Sequence, residues 1–158
     1  MTMREILFKA KRIDNGEWVE GLLTVMWGQY HIINPNDENT AYPIDTETIC
    51  QYTGLDDKNG RRIWENDVLR GHGNPNDLAK VVFGKFDVID VETLGSVESV
   101  NGWHTEVIPT DALSKTKPFC LPMPLNEFYI DISEFEVIGN IFDNPDLLEE
   151  SEHDTETS

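Results

Sequence analysis

Residues 51–69, QYTGLDDKNGRRIWENDVL, constrain the fold more than any other stretch because they hold two tight turns close together. The first is centred on Asp57-Lys58-Asn59-Gly60, since Asn-Gly adopts positive φ cheaply and favours a hairpin. The second lies at Glu65-Asn66-Asp67, where Asn tolerates the left-handed region and Asp can accept a bond from a nearby amide. We therefore predict a short strand folded back at both ends, as at the corners of small SH3-like barrels.

The rest of the chain also has strand-like patterns. Ile6, Phe8 and Ala10 alternate with charged residues, the period of two that is typical of a half-buried strand. Asn15-Gly16 then predicts a hairpin. Further extended segments are predicted at 18–26, 29–33, 43–53, 80–92, 103–108 and 135–142, with loops at 34–37 and 71–77 and little regularity over 93–126.

These patterns predict a mostly β fold, a small barrel or sandwich built from hairpins with an SH3-like part. We expect one domain over 1–145, within which 1–50 can form a subdomain and 51–145 the barrel-like part. Gly139-Asn140 predicts a bulge or bend in the last strand. Asn144-Pro145 predicts the start of a short helix, since Asn caps helices and Pro suits their first position. Residues 146–158 then form that helix and a flexible acidic tail.

The net charge of −18, from 30 acidic residues against 12 Lys and Arg, makes direct nucleic-acid binding unfavourable. After Lys117 the chain has 11 Asp and Glu and no Lys or Arg. One interpretation is an acidic arm for a basic partner protein, or a DNA mimic. The other, which we favour, is a solvating disordered tail.

The sequence has no apolar run long enough to cross a membrane and no apolar core of a signal peptide near residue 1. We therefore expect a cytoplasmic protein. Cys50 and Cys120 are expected to be free thiols, because disulfides are rare in that compartment.

The sequence contains no recognisable catalytic or metal-binding motif, so we predict no enzyme, no metal and no cofactor. A calcium loop with Gly60 in sixth position would need acids where Leu55 and Asn66 stand. The histidines His31, His72, His104 and His153 are too scattered for a local metal motif, and only His72, between two glycines, merits inspection. The tryptophans and tyrosines can build a recognition face, although we favour the core for them.

Two small basic clusters lack the extent that nucleic-acid binding would need against this net charge. They are Lys9, Lys11 and Arg12, and Lys58, Arg61 and Arg62. At the first tight turn, Asp57, Lys58 and Arg61 are expected to be exposed and available for contact.

Most of the 51–69 block matches a known signature in order and spacing. The matching residues are Gln51-Tyr52-Thr53-Gly54-Leu55, Asp57-Lys58-Asn59-Gly60, Ile63-Trp64-Glu65 and Asp67-Val68-Leu69. The block resembles that of the YopX-like family of bacteriophage and prophage proteins, and residues 3–10 and 135–145 resemble its opening and closing segments. The chain departs at Asn66, where the family usually has Gly. The resemblance implies a β-rich fold, self-association and a structural role for the signature, with no known activity.

The leading hypothesis is a non-enzymatic phage or prophage accessory protein that acts through protein–protein contacts as a homo-oligomer. The alternatives are an acidic DNA mimic that regulates a host nucleic-acid-binding protein, and an unrecognised enzyme.

Overall fold

The structure is a computed structural model, and it describes residues 4–149. The chain divides into two compact units, Met1–Gly54 and Leu55–Ser158. Within residues 4–149, no helix is long and apolar enough to span a bilayer.

The first unit is an antiparallel sheet with the strand order β4-β3-β2-β1-β5. Its strands are β1 (Phe8–Lys11), β2 (Trp18–Met26), β3 (Gln29–Asn34), β4 (Asp37–Pro43) and β5 (Cys50–Asp56), with a 3-10 turn at Thr46–Thr48. Ala10, Ile32 and Ile44 are fully buried and form its core. Gly16, at φ 71°, closes the β1–β2 hairpin that Asn15-Gly16 predicted.

The second unit begins with the end of β5 and contains a five-stranded antiparallel sheet with the order β10-β9-β8-β7-β11. Its elements are β6 (Arg62–Trp64), β7 (Asp67–Arg70), β8 (Leu78–Ile89), β9 (Ser96–Val107), β10 (Met123–Pro124), the helix α1 (Glu127–Ser133) and β11 (Glu136–Asn140), with 3-10 turns at Leu113–Lys115 and Pro145–Leu148. Strand β6 neighbours the end of β5 across the Asp57–Gly60 turn.

Apolar side chains pack on both faces of this second sheet, because successive residues of a strand point to opposite sides. Leu69 and Val81 belong to a buried cluster that includes Ile130 of α1. Val68 and Leu78 belong to a second cluster with Ile108. The long β8–β9 hairpin extends beyond these clusters, since every residue from Asp90 to Ser99 is exposed.

The mostly β prediction is confirmed, as is the bulge at Gly139, where the β7–β11 register shifts between Val137 and Gly139. Of the predicted barrel or sandwich, the barrel is wrong. In the part of the chain that is described, the second sheet ends at β10 and β11, and the first ends at β4. Both are open sheets, because no pairing joins their end strands.

Other differences concern helical and irregular segments. Helix α1 was not predicted; Asn126 caps it by accepting a bond from the Tyr129 amide at 2.9 Å, and Glu134 ends it at φ 51°. Strand β9 begins at Ser96, well before the predicted strand at 103–108. The predicted helical turn after Asn144 exists as Pro145–Leu148, although the Asn144 side chain does not cap it. The proposed acidic tail, from residue 150 onward, lies outside the described residues.

Candidate ligand-binding cavity

The Asp57 carboxylate lies inside the second unit and is only 6% exposed. Its Oδ1 accepts hydrogen bonds from the amides of Asn59 and Arg61, each at 2.9 Å. Its Oδ2 accepts one from the amide of Val137 in β11, also at 2.9 Å. The expectation that Asp57 is exposed for contact is therefore wrong, because its oxygens close the turn and bind β11. Lys58 and Arg61 are exposed as expected.

The second turn of the signature block is built in a similar way. Asp67 is buried, and its Oδ2 accepts a hydrogen bond from the Trp64 amide at 2.8 Å. Asn66 adopts φ 70°, the left-handed conformation that its residue type predicted. Its amide donates to the carbonyl of Val81 at 2.8 Å, which attaches the turn to β8.

The remaining signature residues supply core packing and turn conformations. Tyr52, Thr53, Ile63 and Trp64 are buried, and Leu55 packs against the cluster around Ile63. Gly54 and Gly60 adopt φ 85° and 79°, which side chains rarely do. Gln51 and Glu65 are half-buried. The block therefore supplies two turns and part of the core of the second unit.

A cavity of about 280 Å³ lies elsewhere in the second unit, beside the loop that contains His72. Its lining residues come from that loop, from the end of β9 and from the segment after it. They are His72, Asn74, Asn76, Asp77, Val107, Asp111, Leu113, Ser114 and Phe119. The sequence singled out His72 alone among these residues.

Residues 71–77 form a closed loop that supplies one wall of the cavity. The amide of Gly71 donates to the Asp77 carbonyl at 2.9 Å, and the amide of Asp77 donates to the Asn74 carbonyl at 3.0 Å. His72, at φ 51°, donates its amide to the carbonyl of Ser133 at 2.9 Å. These bonds fix the loop through its backbone, and the side chains of His72, Asn74, Asn76 and Asp77 line the cavity.

Two buried hydroxyl groups hold the opposite wall. The Thr110 hydroxyl donates to the Asn76 carbonyl and so ties this wall to the loop. The Ser114 hydroxyl accepts from the amides of Thr110 and Asp111 at 2.9 and 3.1 Å, and it donates to the Asp111 carbonyl at 2.7 Å. Because each of these polar groups is satisfied within the protein, the cavity is formed without a ligand.

The charged groups of the cavity are acidic. Asp77 and Asp111 are half-buried, and among the described residues no Lys or Arg lines the cavity. The Asp111 Oδ1 accepts from the Ser114 amide at 2.9 Å. The Asp77 carboxylate packs over Gly71, where an added Cβ would collide with Oδ2. It makes no hydrogen bond or ion pair with any residue from 4 to 149.

The rim of the cavity adds apolar and titratable side chains. Phe119 and Leu113 are each 56% exposed and form an apolar side. The Nδ1 atom of His72 lies 3.5 Å from Glu134 Oε2, with both side chains mostly in solvent. The cavity therefore combines carboxylate acceptors with an apolar wall, a combination that suits a cation carried on an apolar stem.

Among the described residues, the other sequence candidates do not line this cavity. His104 is buried, stacks on Phe86 at 4.4 Å, and has its Nδ1 3.1 Å from the Gly102 carbonyl. His31 similarly contacts its own strand, and His153 lies outside the described residues. Within residues 4–149, no group of three or more His, Cys, Asp or Glu could hold a metal. Cys50 and Cys120 are reduced thiols that no disulfide joins, as predicted.

The basic cluster of Lys9, Lys11 and Arg12 contacts aromatic rings and an acidic side chain. In the first unit Lys9 and Lys11 lie over the Trp18 ring at 4.7 and 5.4 Å, and Arg12 lies over Tyr42 at 4.4 Å. Arg12 also pairs with Asp14 at 2.6 Å, and this hydrogen bond lowers the pKa of Asp14.

Taken together, fold and cavity define a mostly β protein of two compact units with a small, preformed, acid-lined cavity. The chain belongs to the YopX protein family, whose family model matches residues 8–149. No curated protein matches the chain.

Proposed function

We propose that this protein is a phage or prophage accessory protein of the host cytoplasm that acts by binding proteins, including copies of itself, and not by catalysis. The observation that carries this proposal is the β8–β9 hairpin. Val91 and Val97 are 70% and 65% exposed at its far end, and Leu94 is exposed at its tip. Exposed apolar groups that cluster on one projecting element are typical of interaction surfaces.

Hydrogen bonds within the tip of the β8–β9 hairpin fix its backbone conformation. Asp90 Oδ1 accepts from the Glu92 amide at 2.8 Å, and the Leu94 amide donates to the Asp90 carbonyl at 2.8 Å. Leu94 adopts φ 58° within this tip, which is unfavourable for a branched side chain. These hydrogen bonds fix the backbone of the tip that carries the apolar side chains, which lowers the entropy cost of binding.

Light scattering across a range of protein concentrations tests self-association. We expect the wild-type chain to form a homo-oligomer and the double variant Val91→Ser, Val97→Ser to shift toward monomer. Val25→Ser is the matched control, because Val25 is an exposed valine of the first unit. A wild-type protein that stays monomeric at high micromolar concentration would contradict self-association.

We also propose that the turns on either side of Arg62–Trp64 form an SH3-like corner. The two hydrogen-bonded turns at Asp57 and Asp67 support this local geometry.

A second candidate function is that of an acidic regulator that mimics DNA toward a basic host protein. The acid-lined cavity with no Lys or Arg among its described lining residues favours this alternative. The test is displacement of DNA from a purified basic DNA-binding protein, which should weaken as salt is raised. Displacement that is absent at low salt would contradict mimicry.

A further inference from the structure

The size of the cavity beside His72 limits which ligands can bind in it. Its volume of about 280 Å³ lies just below the range of roughly 300–1,000 Å³ that is typical of pockets for drug-sized ligands. One end of the cavity is open to solvent along the exposed Phe119 and Leu113. A single long side chain fits this space better than a whole cofactor does.

The negative charge of the cavity favours a positively charged ligand. Asp77 and Asp111 are half-buried on two sides of it, and no lining residue among 4–149 carries an opposite charge other than His72 when protonated. Asp77 is the more available of the two, since its carboxylate has no partner within the described chain, whereas Asp111 accepts the Ser114 amide. A carboxylate partly removed from water gains most from a cation that also donates hydrogen bonds.

The apolar side of the cavity favours a planar cation on an aliphatic stem. Phe119 presents an aromatic ring, over which a planar guanidinium stacks favourably. Leu113 and Val107 can cover an aliphatic stem. A guanidinium also offers several N–H donors in a fixed fork that matches a carboxylate, which a lysine ammonium does not.

We propose that this cavity binds an arginine side chain of a partner protein. The inference deepens the proposed function and rests on it for the source of the arginine. Gly71 is part of the site, because only a residue without a Cβ leaves the Asp77 carboxylate in its position. The bonds of Thr110 and Ser114 preform the walls, which reduces the ordering cost of binding.

The test uses the full chain, isotope-labelled, titrated with the N-acetyl N-methylamide derivative of arginine. Amide proton–nitrogen correlation spectra report on the site through His72, Gly73 and Ser114. We expect saturable shifts of these amides with the arginine compound and none with the uncharged norleucine analogue. The absence of saturable shifts, or equal shifts with norleucine, would overturn the proposal. Equal affinity for the lysine analogue would overturn the assignment to arginine.

Two variants locate the binding. Asp77→Asn keeps the shape of the side chain and removes its charge, so we expect affinity to fall roughly tenfold, as for loss of a charge-assisted hydrogen bond. Phe119→Leu keeps an apolar wall without the ring and should weaken arginine binding while leaving the lysine analogue little changed. Glu38→Gln is the control, because it removes the same charge from an exposed site in β4 of the first unit, outside both the cavity and the β8–β9 hairpin. Wild-type affinity in both variants would also overturn the proposal.

Because the probe is a small molecule, the result is separable from the proposed function. Arginine binding by a protein that remains monomeric and captures no partner would support the cavity and contradict the interaction role. Oligomerisation without arginine binding would support the interaction role and contradict the proposed arginine site.

Discussion

The carboxylate of Asp57 and the amide of Val137 are 80 residues apart in sequence and form a buried hydrogen bond of 2.9 Å. The same carboxylate closes the Asp57–Gly60 turn through the amides of Asn59 and Arg61. One side chain thus fixes a local turn and a strand of the second sheet, so its loss affects both.

We expect Asp57→Asn to lower the free energy of unfolding by about 2–4 kcal/mol, because the new amide nitrogen faces the Val137 N–H and a buried donor is left unsatisfied. Urea denaturation measures the change. Asp87→Asn, at an exposed position of β8, should change it by less than about 0.5 kcal/mol. Equal stability of Asp57→Asn and wild type would show that the three amides find other acceptors.

Asn66 tests the cost of positive φ at the second turn. We expect Asn66→Gly to be more stable than Asn66→Ala by about 1 kcal/mol, because Gly adopts φ 70° without the steric cost of a Cβ. Both variants lose the asparagine side chain, so the comparison isolates the backbone term. Thermal or urea unfolding of the pair measures it, and the reverse order would mean that the turn has moved to another conformation.

The Arg70–Glu136 ion pair predicts a pH dependence of stability. Arg70 Nη2 lies 2.6 Å from Glu136 Oε1, and this hydrogen bond lowers the pKa of Glu136 below its ordinary value of 4.5. A carboxyl whose pKa is lowered by folding stabilises the folded state above its unfolded pKa, and this stabilisation is lost as the pH falls through the folded value.

Glu136→Gln should therefore reduce stability at neutral pH and converge with wild type in acid below the lowered pKa. Urea midpoints measured across that acidic range check the slope. Glu98→Gln, on the exposed hairpin, should keep the wild-type slope. A constant gap between Glu136→Gln and wild type at every pH would show that the ion pair contributes nothing to the acid sensitivity.

Thermal unfolding tests the prediction of one domain over 1–145. We expect a single cooperative transition in calorimetry, with equal calorimetric and van't Hoff enthalpies. Two resolved transitions would instead indicate that the units Met1–Gly54 and Leu55–Ser158 unfold separately.

Local chemistry made the hairpins predictable from the sequence. Asn15-Gly16 and Asn59-Gly60 determine their turns through backbone preference alone, and β2 has the predicted bounds of Trp18–Met26. The left-handed Asn66 and the bulge beside Gly139 followed from the same preference. Such features need only neighbouring residues, so a single sequence is sufficient for them.

Features that depend on distant residues were not predictable. Helix α1 is short and has its first capping signal at Asn126, directly after a proline-rich stretch. The cavity needs the bond between Thr110 and Asn76, which are 34 residues apart. His72 was noticed because it stands between glycines, but nothing local distinguishes Asp77 and Asp111 among 30 acidic residues. Their positions in space, rather than their identity, make them candidates.

The link between Asp57 and Val137 also has a consequence during protein synthesis. The Asp57–Gly60 turn leaves the ribosome 80 residues before the Val137 amide, so in a nascent chain that ends before Val137 the Asp57 carboxylate lacks its partner in β11. Premature termination anywhere between Asp57 and Val137 would therefore leave this turn without its bond to β11.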